Sequence, residues 1–400
     1  MVSRPIPYPV PAEPQRRLAS LPKQAAAGPL SVLRPRLPAA ADLLPYLATI
    51  DERRWYANYG PLVAELEQRL GLHLGTESVV TTVNGTLGLT AALLAREVPA
   101  GSLCLMPAWT FPATPHAARA AGLTPWFHDV DRHTWALDPE AVGETLLHPA
   151  KRHTPIRAVV VVSPFGAPLD PAAWEALEER TGVRVVMDAA AGFDTVRAGR
   201  IPTVVSLHAT KILGAGEGGF VITTDRRMRD RIRTCCNFGF AGSRVATLPA
   251  LNAKMSEYHA AVALAGLDGW TALRARHARI TNWYRRGISR LEGISLQPGY
   301  GNGWVSSTTN VLLPPDSATR TAWALRRLGI ETRAWWEQGC HVQPAFADCP
   351  RGDLPVTEEL GGRVLGLPHF PDMQKRQVDA VVDALAQVQI AGTLPRRRLA

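Results

Sequence analysis

Ser206-Leu207-His208-Ala209-Thr210-Lys211-Ile212-Leu213-Gly214-Ala215-Gly216-Glu217-Gly218-Gly219 is the stretch on which the reading of this chain turns. It joins two short β-rich runs, Val204–His208 and Gly219–Thr223. A link this short suits an antiparallel pair. Within the link one lysine stands among glycines and small apolar residues. Most lysines are solvated at the surface. A lysine enclosed in this way loses solvation. Together with nearby positive charge that lowers its pKa, and a neutral amine can form a Schiff base.

Upstream of this stretch the chain alternates. Candidate strands are Val79–Val83, Leu103–Pro107, Pro125–Val130, Ala158–Ser163 and Arg184–Ala189, and helical stretches are Thr86–Arg96, Ala113–Ala121, Pro139–Leu147 and Pro171–Arg180. Ala41–Ile50 and Leu62–Leu70, ahead of the first strand, also have helical apolar spacing. Strand and helix in alternation indicate parallel βαβ units. Val159–Val162 and Val185–Met187 are continuously apolar, as in strands covered on both faces. The fold expected is α/β: a mostly parallel seven-stranded sheet flanked by helices. Met255–Ile280 then reads as one long helix, Thr309–Leu313 and Thr332–Trp336 as strands, and Thr319–Leu328 and Met373–Ala386 as helices. The expected division is an extension over 1–30, a large domain over 31–280 and a smaller α+β domain over 281–400.

Three more segments carry chemistry. Val83-Asn84-Gly85-Thr86 is a strand end, a glycine turn and a helix start. Free amides at such a place favour a phosphate, although a threonine cap alone would look the same. Val185-Val186-Met187-Asp188 ends in a carboxylate at the edge where α/β sheets bind ligands, able to hold a heterocyclic nitrogen protonated or simply to cap the next segment. Pro107-Ala108-Trp109-Thr110-Phe111 supplies aromatic rings at that edge, for stacking on a flat ring or for loop packing. A phosphate cradle, a ring stacker, an acid for a ring nitrogen and a Schiff-base lysine are together the groups that hold pyridoxal 5′-phosphate.

The order of these groups resembles the aspartate-aminotransferase fold, fold type I. More closely, Asn58-Tyr59-Gly60-Pro61-Leu62-Val63-Ala64-Glu65-Leu66-Glu67 resembles the N-terminal signature of the DegT/DnrJ/EryC1/StrS family of sugar aminotransferases. Asn84-Gly85-Thr86, Asp188-Ala189-Ala190, Ser206 to Lys211, Asn252-Ala253-Lys254-Met255-Ser256-Glu257, Gln343-Pro344-Ala345-Phe346 and Leu354-Pro355-Val356-Thr357-Glu358 follow in family order. The resemblance implies that Lys211 forms the aldimine and moves protons, and that Asp188 pairs with the pyridine nitrogen. Phe111 would stack on the ring in preference to Trp109. Gly85, Thr86 and Ser206 would bind the phosphate, and Asn252 would reach the phosphate of the partner in a homodimer with shared sites. Tyr59, His341 and Lys254 are placed near the substrate. Lys254, Arg244 and Arg333 are candidates for a pyrophosphate clamp. The implied amino donor is L-glutamate or L-glutamine. The implied acceptor is a keto group on a nucleotide-activated deoxysugar, in antibiotic or surface-glycan biosynthesis. A keto-cyclitol or other small ketone is the alternative, and a non-catalytic cofactor-binding regulator a third reading. One position departs from the family: Ala191 stands where Gln or His is usual, which points to a subgroup. Lys211 itself excludes the dehydratase branch, which has His there.

Charge and composition set the outer bounds. Lys and Arg number 44 against 35 Asp and Glu, a formal charge of +9, with pI about 9.7 and mean hydropathy −0.04. Such an excess can signal nucleic acid, but the chain has no nucleic-acid-binding motif. Part of the charge sits in the proline- and arginine-bearing first 30 residues, read as a mobile or surface-hugging arm, and in Pro395-Arg396-Arg397-Arg398. No apolar run approaches the ~18 residues of a spanning helix. Cys104, Cys235, Cys236, Cys340 and Cys349 are odd in number and lack CxxC spacing. That favours free thiols in a reducing cytoplasm and no metal site.

Overall fold

In the computed structural model, residues 29–148 and 154–393 are described. The arm, save its last two residues, and the Pro395–Arg398 tail lie outside them. The strands are β1 (Val79–Thr82), β2 (Leu103–Pro107), β3 (Thr124–His128), β4 (Ile156–Val162), β5 (Arg184–Asp188), β6 (Thr203–Ser206), β7 (Gly219–Ile222), β8 (Ser295–Leu296), β9 (Thr309–Leu312) and β10 (Val364–Leu367). The first seven form one sheet in the order β1-β7-β6-β5-β4-β2-β3. β7 runs antiparallel to both its neighbours, β6 and β1. The other pairs are parallel.

The valine runs explain why this sheet is interior. Side chains alternate across a strand. Val160 and Val186 therefore pack on one face with Leu89 and Leu93 of the helix Gly85–Ala95. Val159, Val161 and Val185 pack on the other with Trp174 and Leu177 of the helix Pro171–Thr181. Each such buried side chain contributes about 1.5–3 kcal/mol. The flanking helices carry their own start signals. Asp138 and Asp170 accept from the first-turn amides of helices that begin with Pro139 and Pro171.

A second sheet, β10-β9-β8, is antiparallel. Its core includes Val311, Leu365, Leu367 and the helix residues Tyr284, Val381 and Leu385. Two expectations need correction here. The stretch Met255–Ile280 is two helices, Glu257–Asp268 and Trp270–Ile288, with Gly269 at φ −88° and ψ 1° between them. The second helix runs past residue 280, so Ile280, Tyr284 and Ile288 join the core of the small sheet. Thr332–Trp336 is not a strand. Arg333 alone bridges Gly366, and Trp336 plugs an aromatic cluster instead.

Among the described residues no helix is long and apolar enough to cross a membrane. All five cysteines are buried free thiols.

Candidate active site

Register puts the chemistry on one edge. Asp188 ends β5, with Val162 and Val204 as its neighbours across the ladder. The residue is 5% exposed. Oδ2 accepts from Thr114 Oγ1 at 2.8 Å, and Oδ1 from the Ala190 amide at 3.1 Å. Burial pushes the Asp188 carboxyl up, while Thr114, the Ala190 amide and the positive charge of Lys211 pull it back. Two accepted bonds leave a carboxylate about half its acceptor capacity.

Lys211 sits on the loop from β6 to β7. That loop is closed by Leu207 N–H to Gly218 O at 2.8 Å and Ala209 N–H to Gly216 O at 2.8 Å, and Lys211 N–H itself donates to His208 O. The lysine is half-buried. Burial lowers its pKa and Asp188 opposes that shift, which moves the amine toward its neutral form.

The same edge carries an open helix end. Asn84 caps the helix Gly85–Ala95, with its Oδ1 accepting from Leu87 N–H at 2.8 Å. Thr86 is therefore not the cap, and the amides of Gly85 and Thr86 have no intrahelical acceptor. Gly219 lies between Thr82 and Ser206 in the sheet. A Cβ on Gly219 would stand 2.9 Å from the Gly85 nitrogen, and one on Gly85 would stand 3.0 Å from Ser206 Cβ. The cradle is thus made of backbones in contact, where a side chain would intrude.

The aromatic pair separates. Phe111 is 60% exposed, whereas Trp109 is 2% exposed. Trp109 lies edge-on to Trp135, Phe165 and Trp336. Cys340 N–H donates to Ala108 O at 2.7 Å and Cys340 Sγ to Thr110 O at 3.2 Å. This brings His341 to the Phe111 loop. His341 is buried, its Nδ1 has no partner among the described residues, and burial, reinforced by Arg351, lowers its pKa.

The remaining candidates have contacts of their own, and Asn252 and Lys254 flank Ala253, whose carbonyl accepts from Val83 N–H at 2.8 Å beside the cradle. Tyr59, in the left-handed region at φ 58°, packs under the Arg233 guanidinium 4.8 Å from its ring centroid. Asn252 is exposed, and its Oδ1 accepts from Lys254 Nζ at 2.7 Å while that ammonium lies over the Phe238 ring. Arg244 is exposed. Arg333 covers the ring of Trp335.

Residues 39–386 match the model of the DegT/DnrJ/EryC1/StrS aminotransferase family. The chain belongs to that family. A dTDP-4-amino-4,6-dideoxy-D-glucose transaminase of Escherichia coli is 27% identical over 89% of this chain and 98% of its own. The erythromycin biosynthesis sensory transduction protein EryC1 of Saccharopolyspora erythraea is 30% identical over 83% of this chain and 91% of its own. The crystal structure of DesI with its TDP-sugar product superposes with a TM-score of 0.83 at 32% identity, covering 94% and 96% of the two chains. The fold is that of PLP-dependent aminotransferases of fold type I.

The groups on this edge fit the cofactor that the DegT/DnrJ/EryC1/StrS family implies. Gly85 and Gly219 put no side chain of their own into the cradle, the carboxylate keeps acceptor capacity, the amine is shifted toward neutral, and one aromatic side chain is exposed. Ala191 is half-buried, and its carbonyl crowds Gly166, where a Cβ would come within 2.5 Å. Two contributors escaped the sequence reading. Thr114 bonds Asp188 across 74 positions; its spacing of four from Thr110 at a helix start was the available signal. Glu257, the last residue of one family block, accepts from Leu62 N–H at 2.8 Å and Val63 N–H at 3.0 Å in the first block.

Proposed function

We propose that this sugar-aminotransferase-family chain uses pyridoxal 5′-phosphate to move an amino group from L-glutamate or L-glutamine to a keto group on a nucleotide-activated deoxysugar, working as a homodimer. The observation that carries the reading is the pairing, on one sheet edge, of a buried carboxylate with a lysine whose pKa burial lowers. When bound, the cofactor supplies an aldehyde and an electron-withdrawing ring. The amides of Gly85 and Thr86, with the hydroxyls of Thr86 and Ser206, hold its phosphate. Asp188 keeps a proton on the ring nitrogen. Phe111 covers the ring and excludes water from it. Lys211 Nζ takes the proton from the donor's Cα and delivers it where the product needs it. Asn252 serves the phosphate of the partner subunit's site, and Lys254, which it already contacts, lies ready for an anionic substrate. Tyr59 and His341 border the acceptor in this reading.

The acceptor rests on what similar proteins are named for, a dTDP-sugar transaminase and a TDP-sugar product complex. A half-reaction screen tests it. Protein loaded with the cofactor is converted to its amino form with L-glutamate or L-glutamine. It is then offered a dTDP-4-keto-6-deoxysugar, a keto-cyclitol and simple ketones, and return of the visible absorbance is followed. Fast return with the nucleotide sugar is expected. Return with the cyclitol alone overturns the acceptor. Lys211→Ala should abolish the lysine-dependent band, and an unchanged spectrum would overturn the assignment of the lysine.

A further inference from the structure

Behind Asp188 lies a buried pair of hydroxyls. Thr114 and Thr110 are each 1% exposed. Thr114 Oγ1 donates to Asp188 Oδ2 at 2.8 Å and lies 3.1 Å from Thr110 Oγ1. A hydroxyl has one proton. An ionised carboxylate only accepts, so Thr114 spends its proton on Asp188, and Thr110 must donate to Thr114. A helical threonine usually turns its hydroxyl to the carbonyl four residues back. Here that carbonyl, Thr110 O, accepts from Cys340 Sγ instead. Phe111 stands between the two threonines, and its own carbonyl accepts from Thr114 N–H at 3.2 Å.

We propose that Thr114 is a positioning residue for Asp188, and that with Thr110 it forms a one-way hydroxyl relay that holds this carboxylate as an acceptor toward the cofactor ring and ties it to the turn carrying Phe111. The proposal rests on the cofactor reading above. Its physical basis is the place of Asp188. In a buried site a carboxylate tends to take up a proton, and a protonated acid cannot hold a proton on a ring nitrogen. Among the described residues the charged group acting on it is Lys211. The remaining support is two hydrogen bonds. One comes from the main chain, so Thr114 is the side chain that substitution can remove. Hydrogen bonds in series strengthen one another in a dry site.

Thr114→Val keeps the volume and removes the donor. In the cofactor-free protein, the Asp188 carboxyl is followed by carbon NMR across pH, its signal assigned by its loss in Asp188→Asn. The expected result is a higher midpoint in Thr114→Val and return toward wild type in Thr114→Ser. In the loaded enzyme kcat should fall by about tenfold or more, with KM for the donor within about twofold and the acid limb of kcat moved upward. A folded Thr114→Val protein with an unmoved midpoint overturns the proposal. If that variant does not fold, Thr110→Val, one hydroxyl further out, should raise the midpoint by a smaller step, and no step there overturns it equally. Failure of the underlying reading looks different: borohydride would trap no cofactor on Lys211 of the wild type, while the titration in cofactor-free protein would still respond to Thr114.

Discussion

Asp188 and Glu257 are both buried carboxylates in sequence blocks shared with the family, yet they occupy opposite kinds of place. Glu257, 1% exposed, receives two amides at the positive end of the helix Pro61–Leu74. A Cβ on Gly60 would stand 2.6 Å from its Cδ, so the joint has no spare room. Asp188 also has two bonds, but at a strand end, one of them from a side chain, and with a lysine for company. The first carboxylate welds two distant blocks together. The second, with as many bonds, stands at the sheet edge beside an amine, its carboxyl pushed up by burial. Burial, block membership and the number of bonds are therefore poor guides to role; the lysine beside Asp188 and its place at the end of β5 separate the two.

The contrast can be broken most directly at Asp188. Asp188→Asn should lower turnover by roughly 10³-fold, about 4 kcal/mol of transition-state stabilisation, in a steady-state assay. In cofactor-free protein the same change should raise Tm, with a defined pH dependence. The folded-state pKa of Asp188 lies above its ordinary value of 3.8. As pH climbs past that value the unfolded chain ionises first, so the wild type loses stability relative to the Asp188→Asn variant until the folded group has also ionised. The same Tm difference from wild type at pH 4 and pH 7 would remove the claim that burial disfavours the ionised Asp188 carboxylate. Glu257→Ala should do the reverse: on the order of 3 kcal/mol lost in denaturant melts, from two orphaned amides, with the cofactor spectrum of the folded fraction intact. A smaller test uses the aromatic pair. Trp109→Leu should destabilise by about 2 kcal/mol through its three ring neighbours. Phe111→Leu should leave the melt within about 0.5 kcal/mol, as expected of an exposed position, and weaken cofactor retention on dialysis.

What could be read from the chain, and what could not, follows from distance. The valine runs of β4 and β5 announce themselves because each strand carries its own evidence of burial on both faces. Lys211 and Asp188 are legible because their neighbours in sequence create their setting. Gly269 was invisible because Ala and Leu spacing continues on both sides of it, and only its backbone conformation ends the first helix. Thr332–Trp336 misled because tryptophans suit strands as well as plugs. Ser295–Leu296 is too short to signal, and Val364–Leu367 hides in a glycine-broken run. Thr114 and Glu257 act on residues 74 and about 195 positions away. No local pattern contains such a partner.

The strand reversal at β7 has a consequence for the birth of the molecule. β1 finds its sheet partner only in β7, Val79 opposite Ile222, so some 140 residues must leave the ribosome between the two. The glycine cradle, the serine beside it and the lysine loop are all pinned by that late strand. Closing so long a loop is slow, and it comes with little intermediate reward. A nascent chain therefore has no such cradle until its central sheet is complete, and then has the whole of it at once.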